Sequence, residues 1–180
     1  AGSVDTHAHI FGPAAAYPYA ADRPYTPPDA PLAMFRNLHR AIGVDRAVIV
    51  NASIYGSDNR VITDAIAQSG GRYKGVGNCV STMTDEELRA LDRAGICACR
   101  FNFVKRLGGV GDMQAFRELV DRVAALGWHV DIYLERGTVR EFVPILKSLP
   151  VPYVLDHMGT ISVAGGIDDP EFKALLDLQA

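Results

Sequence analysis

Six times along this 180-residue chain, a short apolar run is followed by a segment with helical spacing and a recognisable start or stop. The runs Val4–His9, Arg46–Asn51, Tyr73–Val80, Ile96–Phe103, Trp128–Leu134 and Tyr153–His157 read as strands. Pro31–Ala41, Asp58–Ser69 and Met113–Leu126 read as helices between them. Three more are placed after Thr84, after Thr138 and from Asp169-Pro170. Asp29 is expected to cap the first helix, with Pro31 in its first turn and Gly43 just beyond its end. Thr84 with Glu87, and Thr138 with Glu141, have the spacing of capping boxes. Gly70-Gly71, Gly95 and Gly127 supply stops. Strands alternating with helices at this spacing demand parallel pairing through helical crossovers.

A doubly wound sheet and a closed barrel both satisfy that alternation, and the polar residues separate them. His7, His9, Asn51, Asn78, Arg100, Asn102, Tyr133, Glu135 and His157 all fall at the carboxyl end of a strand. All six strands then contribute to one polar rim, as a barrel mouth requires, whereas an open sheet gathers its site at one switch point. The Gly-rich stretch at 108–111 lacks the spacing of a dinucleotide-binding loop. The reading is a single α/β domain over residues 1–180, a TIM-type (β/α)8 barrel. An eight-unit barrel takes about 250 residues, so two strand–helix units are expected to be lacking.

Hydrophobic residues make up 48% of the chain, enough to bury a sizeable core. Eighteen basic against 21 acidic residues leave a formal charge of −3, with no general footprint for nucleic acid or an anionic membrane. No apolar run approaches the roughly 20 residues of a membrane span, and no signal peptide opens the sequence. A cytoplasmic protein is expected, and nothing specifies its oligomeric state. Cys79, Cys97 and Cys99 are odd in number. Cys97 and Cys99 would share a strand face about 6.6 Å apart, a poor disulfide geometry, so free thiols are expected.

His7 and His9 lie two apart at the end of the first strand, so both imidazoles share a face, with Asp5 two residues earlier on the same face. Arg100 and Arg106 are placed to fork onto carboxylates, since guanidinium offers two parallel donors, while Lys105 reads as surface charge. Asn51, Ser53 and Tyr55 end the second strand as possible hydrogen-bond donors. His157 follows the sixth, either in direct contact with a ligand or behind a residue that is. His39, in a helix, and His129, at the wrong end of a strand, read as structural.

The opening Val4-Asp5-Thr6-His7-Ala8-His9-Ile10-Phe11-Gly12-Pro13 resembles that of the amidohydrolase superfamily, and within it the amidohydrolase-related lactonases. The likeness continues through Arg23-Pro24-Tyr25-Thr26-Pro27, Arg100-Phe101-Asn102-Phe103-Val104-Lys105-Arg106 and Leu155-Asp156-His157-Met158-Gly159. The resemblance implies a hydrolase that opens a cyclic ester of a small dicarboxylate in aromatic catabolism. Arg100, Arg106, Tyr25 and Tyr133 would meet the substrate, and His7, His9 and His157 would polarise the lactone carbonyl. Metal-dependent members add ligands from a strand-four Lys or Glu and a strand-five histidine, where this chain has Arg100 and Tyr133. Arginine stays protonated and is a poor ligand. No metal requirement is therefore expected; a single divalent ion on His7 and His9 is the alternative. The water-activating carboxylate is expected after an eighth strand, with Glu135 or Asp156 as substitutes. Rival readings are a sugar-acid lactonase or lactone isomerase, a metal-dependent decarboxylase, and a catalytically dead anion-binding barrel.

Overall fold

The computed structural model describes residues 2–107, 109 and 112–179, leaving most of the Gly-rich stretch at 108–111 outside. The chain forms two compact units, residues 1–100 and 101–180. The first holds β1 (Val4–Ala8), α1 (Leu32–Ile42), β2 (Arg46–Val50), α2 (Arg60–Ala67), β3 (Tyr73–Asn78) and α3 (Asp85–Arg93). It also holds most of β4 (Ile96–Asn102), whose end enters the second unit. β1 pairs with β2, β2 with β3 and β3 with β4, all parallel. The register sets Val50 beside Val76 and Val76 beside Ala98, an apolar layer against which Val48 packs. Two residues further along, Asn78 pairs with Arg100, so apolar strand bodies give way to polar strand ends. Gly75 has no room for a side chain. A Cβ there would stand 2.6 Å from Ile96 Cδ1 and 2.9 Å from Ile66 Cδ1, which is how closely α2 approaches the sheet.

The second unit holds α4 (Met113–Ala124), β5 (His129–Tyr133), α5 (Val139–Lys147), β6 (Tyr153–Leu155) and α6 (Pro170–Gln179). β5 and β6 are parallel, and Phe103 donates its N–H to the Tyr133 carbonyl at 2.8 Å, tying the end of β4 to β5. Its core is aromatic. Phe116 meets Phe101 and Phe103 at ring distances of 4.7 and 5.4 Å, and Phe103 meets Phe142 at 4.8 Å. Such edge-on pairs add to the burial of apolar area. Six parallel strands alternating with helices make this an α/β fold, a partial TIM-type (β/α) barrel. Among the described residues, no helix is long and apolar enough to cross a membrane, and no disulfide joins the cysteines.

The caps divide. At Thr84 the backbone is extended, the hydroxyl accepts from the Glu87 N–H at 3.2 Å, and Glu87 reaches back to the Thr84 N–H at 2.6 Å. Hydrogen bonds from Thr84 hold the Glu87 carboxyl below its ordinary range. Thr84→Ala should cost about 0.5–2 kcal/mol, a fall in melting temperature of a few degrees at this size; an unchanged melt would mean the cap contributes nothing. At Thr138 the spacing is the same but no box forms. The backbone there (φ −112°, ψ 2°) is not extended, and the hydroxyl donates instead to the Glu135 carbonyl at 2.8 Å. Asp29 does not cap α1 either. Extended Pro31 holds that position, and Asp29 accepts from the Tyr19 hydroxyl at 3.4 Å.

Candidate active site

In the first unit, His7 and His9 stand edge to face, with ring centroids 5.2 Å apart. His9 Nδ1 lies 2.7 Å from the Val50 carbonyl oxygen. A carbonyl only accepts, so the proton is on Nδ1 and the neutral ring carries its lone pair on Nε2. That tautomer suits a proton acceptor or a metal ligand; to donate toward a developing oxyanion, His9 must be protonated. Asp5 has a different task from the one its spacing implied. The register of β1 shifts between Asp5 and Ala8. Asp5 accepts from the His7 N–H at 3.2 Å and meets His39 Nε2 at 3.1 Å, so the acid ties the strand to α1. His39 is accordingly structural with respect to this site.

Asn51 is fully buried, and its Nδ2 donates to the Asp58 carbonyl at 2.9 Å and to Asn59 Oδ1 at 3.0 Å. Asn59 Oδ1 also accepts from the Asn78 N–H at 2.8 Å, while its Nδ2 donates to the Ser57 and Asn78 carbonyls. Asn78 Nδ2 in turn donates to the Ala52 and Gly56 carbonyls. The donor expected of Asn51 is thus spent inside the protein, in a network that pins the ends of β2 and β3 to the start of α2. Asn59 was the residue missed. Its signal was an asparagine immediately before the helical run Arg60-Val61-Ile62.

Ser53 opens a single helical turn, Ser53–Tyr55, rather than ending the strand. Tyr55 is buried. Its hydroxyl accepts from the Gly12 N–H at 2.8 Å and anchors the first loop. Burial, the largest influence, pushes its pKa up to about 12, so the phenol stays neutral. Tyr25 lies in that loop, 42% exposed. Arg100 is half-buried at the end of β4, beside Asn78.

In the second unit, Arg106 sits exposed on the turn Lys105–Leu107. Asn102 clamps that turn, accepting from the Val104 N–H at 2.9 Å and donating to the Leu107 carbonyl at 3.1 Å. Glu135 Oε2 accepts from the Lys105 N–H at 3.0 Å. Glu135, a substitute base on sequence grounds, therefore holds the Arg106 turn. Tyr133 and His157 meet edge to face at 4.8 Å. β6 stops at Leu155, two residues earlier than expected, because the backbone then turns left-handed: His157, Met158, Gly159 and Thr160 have φ between 52° and 65°. Each non-glycine residue in that region costs roughly 1–2 kcal/mol, so the strand cannot continue. The Thr160 hydroxyl donates to the Leu134 carbonyl at 3.0 Å and helps hold the turn. Asp156, just before it, is 2% exposed.

The sequence profile of the amidohydrolase family matches residues 4–180. A 2-pyrone-4,6-dicarboxylate hydrolase of Comamonas testosteroni is 42% identical over 176 residues, covering 98% of this chain and 58% of its own. A 4-sulfomuconolactone hydrolase of Hydrogenophaga intermedia is 36% identical over 178 residues, with 98% and 59% covered. This chain thus spans about three-fifths of the length of these curated relatives. A probable 2-pyrone-4,6-dicarboxylic acid hydrolase of Acinetobacter baumannii, solved with citric acid bound, superimposes with a TM-score of 0.86 at 26% identity. The match covers 99% of this chain and 66% of that one. An amidohydrolase of Burkholderia multivorans solved with zinc shares the fold at 19% identity and a TM-score of 0.69, over 99% and 66%. With its profile match and its 42% relative, this chain belongs to the amidohydrolase family.

Proposed function

We propose that this chain carries the substrate-binding part of a cytoplasmic lactonase that opens the cyclic ester of a small dicarboxylate, 2-pyrone-4,6-dicarboxylate or a close relative. The observation that carries the reading is the 42% identity to a hydrolase named for that compound, spread over 98% of the chain. Arg106, on a turn braced by Asn102 and Glu135, and Arg100 take the carboxylates. Tyr25, Tyr133 and Ser53 contribute further contacts. Asn51 is dropped as a donor to the substrate because its Nδ2 is committed to Asp58 and Asn59.

In the proposed reaction, water adds to the ring carbonyl and its proton passes to a base. The tetrahedral oxyanion is met by His7, His9 and His157, and the ring oxygen leaves with a proton. His9 takes part as an imidazolium, or in its neutral tautomer accepts from the water. Glu135 serves as a positioning residue, and the base is assigned to a carboxylate following an eighth strand.

A divalent ion on His7 and His9 would lack the strand-five histidine of metal-dependent members, since Tyr133 stands there. Arg100 occupies the strand-four position. No step is routed through a metal, and exhaustive chelation of the gene product should leave at least half its hydrolytic rate. Activity lost to chelator and restored by zinc or manganese would favour the decarboxylase or metal-lactonase reading. The reading as a whole is tested by supplying 2-pyrone-4,6-dicarboxylate and 4-sulfomuconolactone separately and following ring opening. Turnover of either supports a lactonase. Failure with both would favour the dead, anion-binding barrel.

A further inference from the structure

At the opposite end of the strands from His7, His9 and Arg100, the first unit has a second basic cavity. It measures about 240 Å³, below the roughly 300–1,000 Å³ of pockets for drug-sized ligands. Arg36, His39 and Arg40 of α1 line it, with Gly43, Val44 and Asp45 before β2, and Arg72 and Tyr73 at the start of β3.

Three arginines line it, and among the described residues none of them is in an ion pair. Arg36 donates to the Gln68 carbonyl at 2.5 Å, Arg40 to Asn37 Oδ1 at 3.1 Å, and Arg72 to the Ser69 carbonyl at 3.0 Å. Asp45 is the only carboxylate on the wall, and it accepts the Gly2 N–H. Two nitrogens are buried without a hydrogen-bond partner, Arg36 Nε and His39 Nδ1. His39 is 4% exposed and its Nε2–H donates to Asp5, so in the neutral ring Nδ1 is an acceptor, and the unpaired buried donor on this wall is Arg36 Nε.

A bland explanation is that Arg40 and His39 complement the carboxyl end of α1. The His39 carbonyl at that end is already satisfied, since Gly43 and Val44 both donate to it. The helix dipole amounts to about half a charge, and Arg72 does not belong to the helix. Nor does it account for Arg36 Nε, a permanent donor whose burial without an acceptor costs about 1–3 kcal/mol.

We propose that this cavity binds a small tetrahedral oxyanion, a phosphate group either free or as a phosphomonoester. Three guanidinium forks suit its several oxygens better than the two of a carboxylate. The site stands apart from the lactonase reading and does not depend on it.

The test is calorimetric titration of the protein with inorganic phosphate and, separately, with ribose 5-phosphate. Saturable one-to-one binding of either is expected; inorganic phosphate alone would mean the free ion, and the ester more tightly would mean a phosphomonoester. The Arg36→Met/Arg72→Met double variant should weaken it at least about tenfold, as losing charge-assisted bonds would. Arg106→Met should leave it within about twofold. If the double variant does not fold by circular dichroism, exposed Arg40→Met alone should still weaken binding about threefold or more and shrink the phosphate-induced rise in melting temperature. No saturable binding of either probe, an affinity untouched by these substitutions, or one lost on Arg106→Met would overturn the proposal.

Discussion

Arg106→Met is expected to weaken binding of a dicarboxylate lactone by about 1.5–3 kcal/mol, roughly 10- to 150-fold in Kd. A charge-assisted bond from guanidinium to carboxylate is worth that much only if the guanidinium is held where the carboxylate arrives. The sequence around Arg106 provides the holding. Asn102 accepts from Val104 and donates to Leu107, and Glu135 takes the Lys105 N–H, so three hydrogen bonds fix the turn that carries an exposed side chain. Because Arg106 is exposed, its removal should scarcely alter stability, and a loss of affinity can be read as a loss of contact. The effect should appear mainly in KM, since carboxylate binding is felt equally in ground and transition states. Glu135→Ala should mimic it in part by removing the acceptor of the Lys105 N–H and loosening the turn. If KM and kcat for the dicarboxylate both stay at parent values in Arg106→Met, the residue is ordinary surface charge.

Asn59→Ala should destabilise the protein by about 2–4 kcal/mol, a drop in melting temperature of roughly 5–15 °C for a chain of this size. Asn59 is 5% exposed and Asn51 fully buried, so water does not replace what is lost. The substitution strands the Asn78 N–H and one Asn51 donor, and removes donors from the Ser57 and Asn78 carbonyls. Each stranded buried group costs about 1–3 kcal/mol before the site relaxes. Chemical denaturation followed by circular dichroism measures it. A loss under about 0.5 kcal/mol would mean the network is readily rewired. Asn59→Asp, which keeps the acceptor but buries a charge, should be no milder.

The alternation of strands and helices was legible because burial imposes period 2 on one and 3.6 on the other, and the register that layers Val50, Val76 and Ala98 follows from those apolar runs. Errors came where one side chain had several partners to choose from. Thr138-x-x-Glu141 has the letters of a capping box, but its backbone is not extended and the hydroxyl finds the Glu135 carbonyl. Asp5 shares a nominal face with His7 and His9, yet the shifted register of β1 leaves it with His39, a residue 34 positions away that no local rule couples to it. Asn51 sits at a strand end as a substrate donor would, and only the fold reveals Asn59 as its acceptor. The end of β6 depended on a left-handed run at 157–160, and three of its four residues are not glycine, so composition gave no warning.

Hydrolysis of a dicarboxylate lactone through paired guanidinium contacts is checked by comparing kcat/KM of the gene product for 2-pyrone-4,6-dicarboxylate and for its dimethyl ester. The pyrone ring and scissile bond are shared, and only the two negative charges differ. If Arg100 and Arg106 each contribute a charge-assisted contact, the dicarboxylate should be preferred by at least about a hundredfold. Equal efficiency with the neutral ester, or no hydrolysis of the dicarboxylate while the ester is opened, would rule out Arg100 and Arg106 as carboxylate-binding groups of a dicarboxylate lactonase.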